Sequence, residues 1–159
     1  MENKGQNMKK NPVAIFAATL LMACIGYFGG KYYDAFQHDK MVVVANQLNQ
    51  ATVEFYSAAI EMKKHPIHAV FFDDLAGALS GYSTRMDYLN TGGCPGDFKD
   101  AVANYKVSVA ILVEHHKNPQ LKNINKAWQI LQDAATGMDS VCRKYNLHFE
   151  NLNTVNFNL

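Results

Sequence analysis

Charge is scarce in this chain. Only 18% of the 159 residues are Asp, Glu, Lys or Arg, and the formal net charge is +1. No basic stripe and no long run of one charge occurs, whereas proteins that bind nucleic acid carry clustered Lys and Arg. We therefore expect no nucleic-acid partner.

Motifs of catalysis are missing as well. The sequence contains no G-x-G-x-x-G, no Walker A motif, no H-E-x-x-H, no G-x-S-x-G and no C-x-x-C. These absences exclude the common signatures of nucleotide binding, metal-dependent hydrolysis, serine esterases and dithiol redox chemistry. We predict that the chain is not an enzyme.

Residues 12–30 have no charge at all. They lie between Lys10 and Lys31, and as a helix they would be about 29 Å long, close to the hydrocarbon thickness of a bilayer. Basic residues dominate the short N-terminus, residues 1–11, which the positive-inside rule places in the cytoplasm. The pattern predicts a transmembrane signal-anchor at 12–30 in a single-pass protein of the bacterial inner membrane, with everything after Lys31 in the periplasm.

The same apolar run allows a second interpretation. Residues 21–24, Leu-Met-Ala-Cys, resemble a bacterial lipobox, in which Cys24 would become the lipidated N-terminus. Gly26 and Gly30 also form a G-x-x-x-G motif, which lets two helices approach closely. A homodimer through this face is therefore a further expectation.

Prolines are few, and each of the four stands at the boundary of a predicted helix. Between them, apolar residues recur in alternating steps of three and four, which is typical of helices that pack at shallow angles. The four repeats are Met41, Val44, Leu48, Ala51, Phe55, Ala58 and Met62; Phe72, Leu75, Leu79, Tyr82, Met86 and Leu89; Phe98, Val102, Tyr105, Val109 and Leu112; and Leu121, Ile124, Trp128, Leu131, Ala135, Met138, Cys142 and Tyr145.

These repeats predict an all-α fold. Residues 31–150 should form an extracytoplasmic, antiparallel up-down-up-down four-helix bundle behind the N-terminal membrane-spanning helix, since short links make successive helices antiparallel neighbours. Two helical hairpins that open to meet a partner are the alternative. Residues 151–159 should be a flexible tail; Val155, Phe157 and Leu159 alternate there with Asn, a strand-like pattern that suits docking on a partner's sheet edge.

Cysteine is rare, with three residues in the chain. The predicted topology brings Cys94 and Cys142 to the same end of the bundle, and an oxidising compartment would favour a disulfide bond between them. Such a bridge would contribute about 3–4 kcal/mol in the chain-entropy model. The alternative is that Cys142 is a small buried apolar residue.

Histidines cluster at the opposite end of the predicted bundle. His65 and His68 flank one helix boundary, and His115 and His116 precede another. Four imidazoles there could hold Zn, Cu or Ni, although the spacing matches no standard motif. A solvated polar tip and a pH-sensitive partner face are the other interpretations; our main expectation is that no cofactor is bound.

A second pair suggests a haem site. Met41 begins the first repeat and His148 follows the fourth. A periplasmic four-helix bundle with Met early in its first helix and His late in its last resembles the cytochrome b562 family. The resemblance implies a haem held between Met41 and His148.

Together these features predict a binding protein. We expect a membrane-anchored, periplasmic helical bundle of the bacterial envelope that recognises a protein partner or modulates an envelope complex. A periplasmic four-helix bundle that binds a metal or haem is the alternative.

Overall fold

A computed structural model describes the backbone of residues 12–63, 68–118 and 124–150, and the side chains of 19–61, 74–118 and 124–150. Its four helices are α1 (Pro12–Lys63), α2 (His68–Asp87), α3 (Gly96–Lys117) and α4 (Ile124–Lys144). No strand occurs in these described ranges. The predicted all-α fold with four helices is confirmed in the part of the chain that the structure describes.

The chain divides into two compact units, and the boundary between them in sequence falls within α1. The first is Met1–Phe36 and the second is Gln37–Leu159. In the first unit, every described side chain from Thr19 to Phe36 is exposed. In the second unit, α3 packs against both α2 and α4, and side chains of all four helices enter one core.

The predicted transmembrane anchor needs correction. Among the described side chains, which begin at Thr19 on α1, no helix is both long and apolar enough to cross a membrane. From Thr19 onward the apolar run is short, and Lys31 and Asp34 soon lower the mean hydropathy of the helix. The sequence argument also draws on residues 12–18, whose side chains lie outside the described part.

This finding contradicts the predicted signal-anchor at 12–30. It also removes support for a single-pass protein of the inner membrane with a periplasmic domain. Three other predictions lie outside the described residues or remain untested. The N-terminus 1–11 and the tail 151–159 are outside the described ranges, and lipidation of Cys24, an exposed residue, stays a prediction.

The core of the second unit follows the predicted repeats closely. On α2 and α3 the repeat residues with described side chains are buried, except for the half-buried Leu89 at the end of α2's repeat. On α1 and α4, two predicted core positions are taken by a residue one position or one turn away. Ala59 is buried in place of Ala58, and Ala127 is buried while Ile124 is 40% exposed.

In the described residues, a backbone in the left-handed region follows both α2 and α4. Gly93 has φ 84° in the link between α2 and α3, where glycine meets no Cβ penalty. After α4, Asn146 has φ 57°, and the N–H of Leu147 donates to the carbonyl of Cys142 at 2.8 Å. This is the bonding that closes many helix C-termini, and it turns the chain out of the helical direction.

Candidate functional site

The first unit carries a large apolar surface. In the part of α1 that belongs to this unit, eight large apolar side chains are between 57% and 78% exposed. Soluble proteins seldom expose so many neighbouring apolar groups, and those that do commonly bind another molecule there. We call this set the α1 apolar surface; it consists of Leu20, Leu21, Met22, Ile25, Tyr27, Phe28, Tyr32 and Tyr33.

Within this surface the contacts are local. The Tyr27 and Phe28 rings meet edge to face with centroids 5.5 Å apart, and the Lys31 ammonium lies 4.8 Å from the Tyr27 ring centroid. A cation over an aromatic face is attracted by the ring quadrupole. These contacts join near neighbours along one helix, so they leave most of the apolar area uncovered.

Gly26 and Gly30 open gaps in the same surface. A Cβ placed at either glycine would meet no atom within 4 Å. Glycine costs a helix about 1 kcal/mol relative to alanine, and nothing within the described structure requires its small size here. The residues leave room for another backbone to approach α1.

The predicted histidine cluster is only partly described. His65 lies outside the described residues, and so does the side chain of His68. The Nδ1 atoms of His115 and His116 lie 2.9 and 3.0 Å from the backbone carbonyls four residues earlier on α3. Because a carbonyl only accepts, each Nδ1 is the donor in its hydrogen bond.

Metal binding at this cluster stays a prediction. In the part of the chain that the structure describes, no three His, Cys, Asp or Glu side chains lie close enough together to hold a metal ion. The two described histidines would supply only two nitrogen ligands, whereas a zinc site takes at least three protein ligands.

Met41 and His148, the predicted haem ligands, lie in different surroundings, and haem binding stays a prediction. Met41 is buried in the core with 2% exposure. The His148 side chain is 76% exposed, and its Nε2 lies 2.8 Å from a carboxylate oxygen of Glu150. A haem held by both would need the two side chains on opposite sides of one pocket. The structure therefore gives no support to the haem arrangement that the resemblance implies.

Cys94 and Cys142 are both buried in the core of the second unit, and both are free thiols. The predicted bridge is thus not formed in the structure, and it stays a prediction. Asp97, close to Cys94 in sequence, bonds to Lys144 and Tyr145, close to Cys142. Both cysteines therefore lie near the contact between the start of α3 and the end of α4.

Burial also changes the acidity of these two thiols. It raises the pKa of Cys94, and it raises the pKa of Cys142 to about 11, with nearby Asp139 adding to the effect on Cys142. Since the thiolate is the reactive form of cysteine, both residues should be poor nucleophiles.

A chain of buried hydroxyl groups crosses the core. The Tyr82 hydroxyl lies 2.9 Å from Thr52 Oγ1 and 3.1 Å from the Tyr105 hydroxyl, and Thr52 Oγ1 donates to the Leu48 carbonyl at 3.0 Å. Burial, and then the neighbouring Tyr105, hold the pKa of Tyr82 well above its usual value. The repeat pattern placed both tyrosines in the core but missed Thr52, whose short polar side chain gives no apolar signal.

Comparison with known proteins finds no matching family model, no similar curated protein and no similar solved structure. The functional argument therefore rests on the surfaces and side chains described above.

Proposed function

We propose that this chain is a non-enzymatic interaction protein in which an antiparallel four-helix bundle is joined to an apolar helical binding surface. The observation that carries the proposal is the exposure of the eight side chains of the α1 apolar surface. The Asp97–Lys144 contact, which joins the start of α3 to the end of α4, supports the antiparallel arrangement of the bundle.

The partner that we propose is a second copy of this chain. Lys31 is the one charged residue between Leu20 and Tyr33, so the surface offers little for a charged partner to recognise. An apolar helix matches its own copy, and Gly26 and Gly30 allow two backbones to come close.

The gain expected from such pairing is comparable with the cost of association. If each copy buried four of its eight exposed side chains, the contribution would be about 12 kcal/mol or more, at roughly 1.5 kcal/mol per side chain. Association costs about 4–15 kcal/mol in lost translational and rotational freedom. The difference between this gain and this cost is compatible with a dimer that forms at micromolar concentration.

The proposal is tested by the mass of the full chain in solution. Light scattering coupled to size exclusion, in a buffer without detergent, should give a dimer for the unsubstituted chain. Detergent is left out because it would cover the same apolar side chains. Gly26→Leu fills the gap through which the second backbone approaches, and this variant should shift to the monomer.

Gly137→Leu is the matched control. Gly137 is an exposed glycine of α4 with no atom within 4 Å of a built Cβ, and it lies outside the α1 apolar surface. This variant should remain dimeric. A monomeric unsubstituted chain at about 100 μM, a concentration far above a micromolar Kd, would contradict the proposal, and so would equal weakening by both substitutions.

A further inference from the structure

The segment after α4 binds to α1 through its backbone. The Asn49 side chain donates from Nδ2 to the His148 carbonyl at 3.0 Å, and its Oδ1 accepts from the Glu150 N–H at 2.8 Å. Thr52 Oγ1 lies 3.3 Å from the Glu150 carbonyl. In an extended chain these three backbone groups lie on one edge, so Asn49 and Thr52 bind this segment as a neighbouring strand would.

The side chains of this segment alternate between core and solvent. Phe149 is 6% exposed, and its ring meets the Tyr105 ring edge to face at 5.3 Å. Leu147 is half-buried and packs on the same core. His148 lies between them and Glu150 follows Phe149; these two side chains contact each other and are 76% and 39% exposed.

We propose that Asn49, Thr52 and Tyr105 form a binding site for an extended peptide with the pattern apolar, polar, Phe, polar. The chain's own residues 147–150 fill this site, and a partner segment with the same pattern takes their place. The site, which we call the Asn49 site, lies in the second unit and shares no residue with the α1 apolar surface. The proposal therefore does not depend on self-association.

The contacts determine which peptides fit. The amide of Asn49 recognises backbone groups, so it selects an extended conformation but no particular residue. Selection by side chain is confined to the inward positions, where Leu147 and Phe149 lie. The outward positions, those of His148 and Glu150, accept different polar residues because both side chains reach solvent.

The sequence supplies a second segment of this kind. Residues 155–158, Val-Asn-Phe-Asn, have the same pattern of apolar, polar, Phe and polar residues. These residues lie outside the described ranges, and they enter the argument as sequence alone. They provide a natural probe in which both outward residues differ from those of 147–150.

Few contacts hold the bound segment. Residues 147–150 are anchored by the Phe149 ring, the half-buried Leu147, the two hydrogen bonds of Asn49 and one threonine contact. Asn146, in the left-handed region, precedes the segment. Covalent attachment gives a tethered peptide an effective concentration of about a millimolar. A free peptide must therefore compete with the attached segment, and weakening that segment should expose the site.

The test measures binding of fluorescent peptides to the full chain. Phe149→Ala empties the aromatic position, and this variant should bind a peptide of residues 146–151 at least about tenfold more tightly than the unsubstituted chain, because competition by the tethered segment is reduced. A peptide of residues 153–159 should also bind this variant. The 146–151 peptide with Ala in place of Phe should not bind.

Asn49 is tested in the same background. The double variant Asn49→Ala/Phe149→Ala should lose about tenfold or more in peptide affinity, since two hydrogen bonds are removed. Asn46→Ala/Phe149→Ala is the matched control, because Asn46 is an exposed asparagine one turn earlier on α1. The control should bind the peptide as well as Phe149→Ala does.

A second variant covers the case in which Phe149→Ala unfolds. Glu150→Pro removes the N–H that donates a hydrogen bond to Asn49 but leaves the Phe149 ring in place. This variant should bind the 146–151 peptide about fivefold more tightly than the unsubstituted chain does. Circular dichroism verifies the helices of each variant. Two results would overturn the proposal: a folded variant that binds no peptide, or equal binding of the peptides with Phe and with Ala.

Discussion

At the scale of single residues, the buried hydroxyl groups stand out because a core of this size has few polar side chains. Thr52 and Ser108 are the buried polar residues among the described side chains, and each donates to a backbone carbonyl of its own helix. Tyr82 and Tyr105 then add polar tips to large apolar rings. Such a network favours one packing arrangement, because any shift of a helix leaves a hydroxyl without its partner.

Tyr82→Phe tests the network. The substitution keeps the ring and removes the hydroxyl that lies between Thr52 and Tyr105, so the Tyr105 hydroxyl loses that contact in the core. We expect a loss of about 1–2 kcal/mol in the free energy of unfolding, measured in urea at pH 7. Tyr88→Phe is the control, because Tyr88 is 82% exposed. Equal losses in both variants would contradict the prediction.

The same tyrosine predicts how stability depends on pH. Burial raises the pKa of Tyr82 above its usual value near 10, so the folded chain keeps the proton at a pH where the unfolded chain releases it. The stabilisation is complete below pH 10 and decreases as the pH rises toward the folded pKa. Unfolding free energies between pH 8 and 11 should fall more steeply for the unsubstituted chain than for Tyr82→Phe. Parallel curves would exclude Tyr82 as the cause.

The thiols should separate into two reactivity classes. With the pKa of Cys142 near 11, roughly 0.1% of that thiol is ionised at pH 8, and burial also raises the pKa of Cys94. Cys24 is exposed. Protein kept reduced should therefore show one fast thiol and two slow thiols toward a colorimetric disulfide reagent.

Cys24→Ser identifies the fast thiol. In this variant the fast phase should disappear, and the two slow thiols should become reactive in urea. A fast phase that survives the substitution would contradict the burial of Cys94 and Cys142. The predicted bridge is tested on protein purified without reductant: one reactive thiol in urea would establish it, and three would exclude it.

At the scale of elements, α2 and α3 were predictable because their apolar residues recur at helical spacing. Tyr82, Met86, Phe98 and Val109 lie in the core where the repeat placed them. The end of α3 also follows its sequence, since Lys117 occupies its last turn, where a cation interacts favourably with the helix dipole. The local spacing of apolar residues is therefore sufficient to predict these two helices.

Other parts of the structure depend on contacts between distant residues, which the spacing of apolar residues does not indicate. Asp97, in the first turn of α3, accepts hydrogen bonds from Lys144 and Tyr145 at the end of α4. The binding of residues 147–150 to Asn49 joins positions about a hundred residues apart in sequence. A single asparagine in a helical repeat gives no sign of such a partner.

Asp97 joins two elements, and its substitution should loosen them. Hydrogen bonds from Lys144 and then Tyr145 hold the pKa of the Asp97 carboxyl below its usual value. This contribution is present above the unfolded pKa, near 4, and is lost as the pH falls through the folded pKa. Asp97→Asn should lower the free energy of unfolding by less than about 1 kcal/mol at pH 7, because the carboxylate is partly exposed.

The effect of Asp97→Asn should decrease at pH 3, where part of the stabilisation is already lost in the unsubstituted chain. Asp100→Asn, an exposed substitution on the same helix, serves as the control and should change little at either pH. Urea unfolding at the two pH values measures both variants. An effect of Asp97→Asn that is larger at pH 3 than at pH 7 would reverse the predicted sign.

At the scale of the whole molecule, the two units present different surfaces. The first unit exposes its large apolar side chains, and the second buries most of its own around one core. The sequence shows this contrast only in part, because a run of apolar residues does not indicate whether another helix of the chain or a partner covers it. Periodicity distinguishes the two units: the second has an apolar stripe on each helix, whereas the exposed apolar side chains between Leu20 and Tyr33 keep to no single stripe.

The two proposed binding surfaces should act independently, because they share no residue and lie in different units. In the double variant Gly26→Leu/Phe149→Ala, the chain should be monomeric and should bind the 146–151 peptide within about twofold of the affinity of Phe149→Ala alone. Phe149→Ala alone should remain dimeric. If Gly26→Leu weakened peptide binding tenfold, or if Phe149→Ala abolished the dimer while the helices stayed intact, the two surfaces would be coupled and neither could be assigned from its own contacts alone.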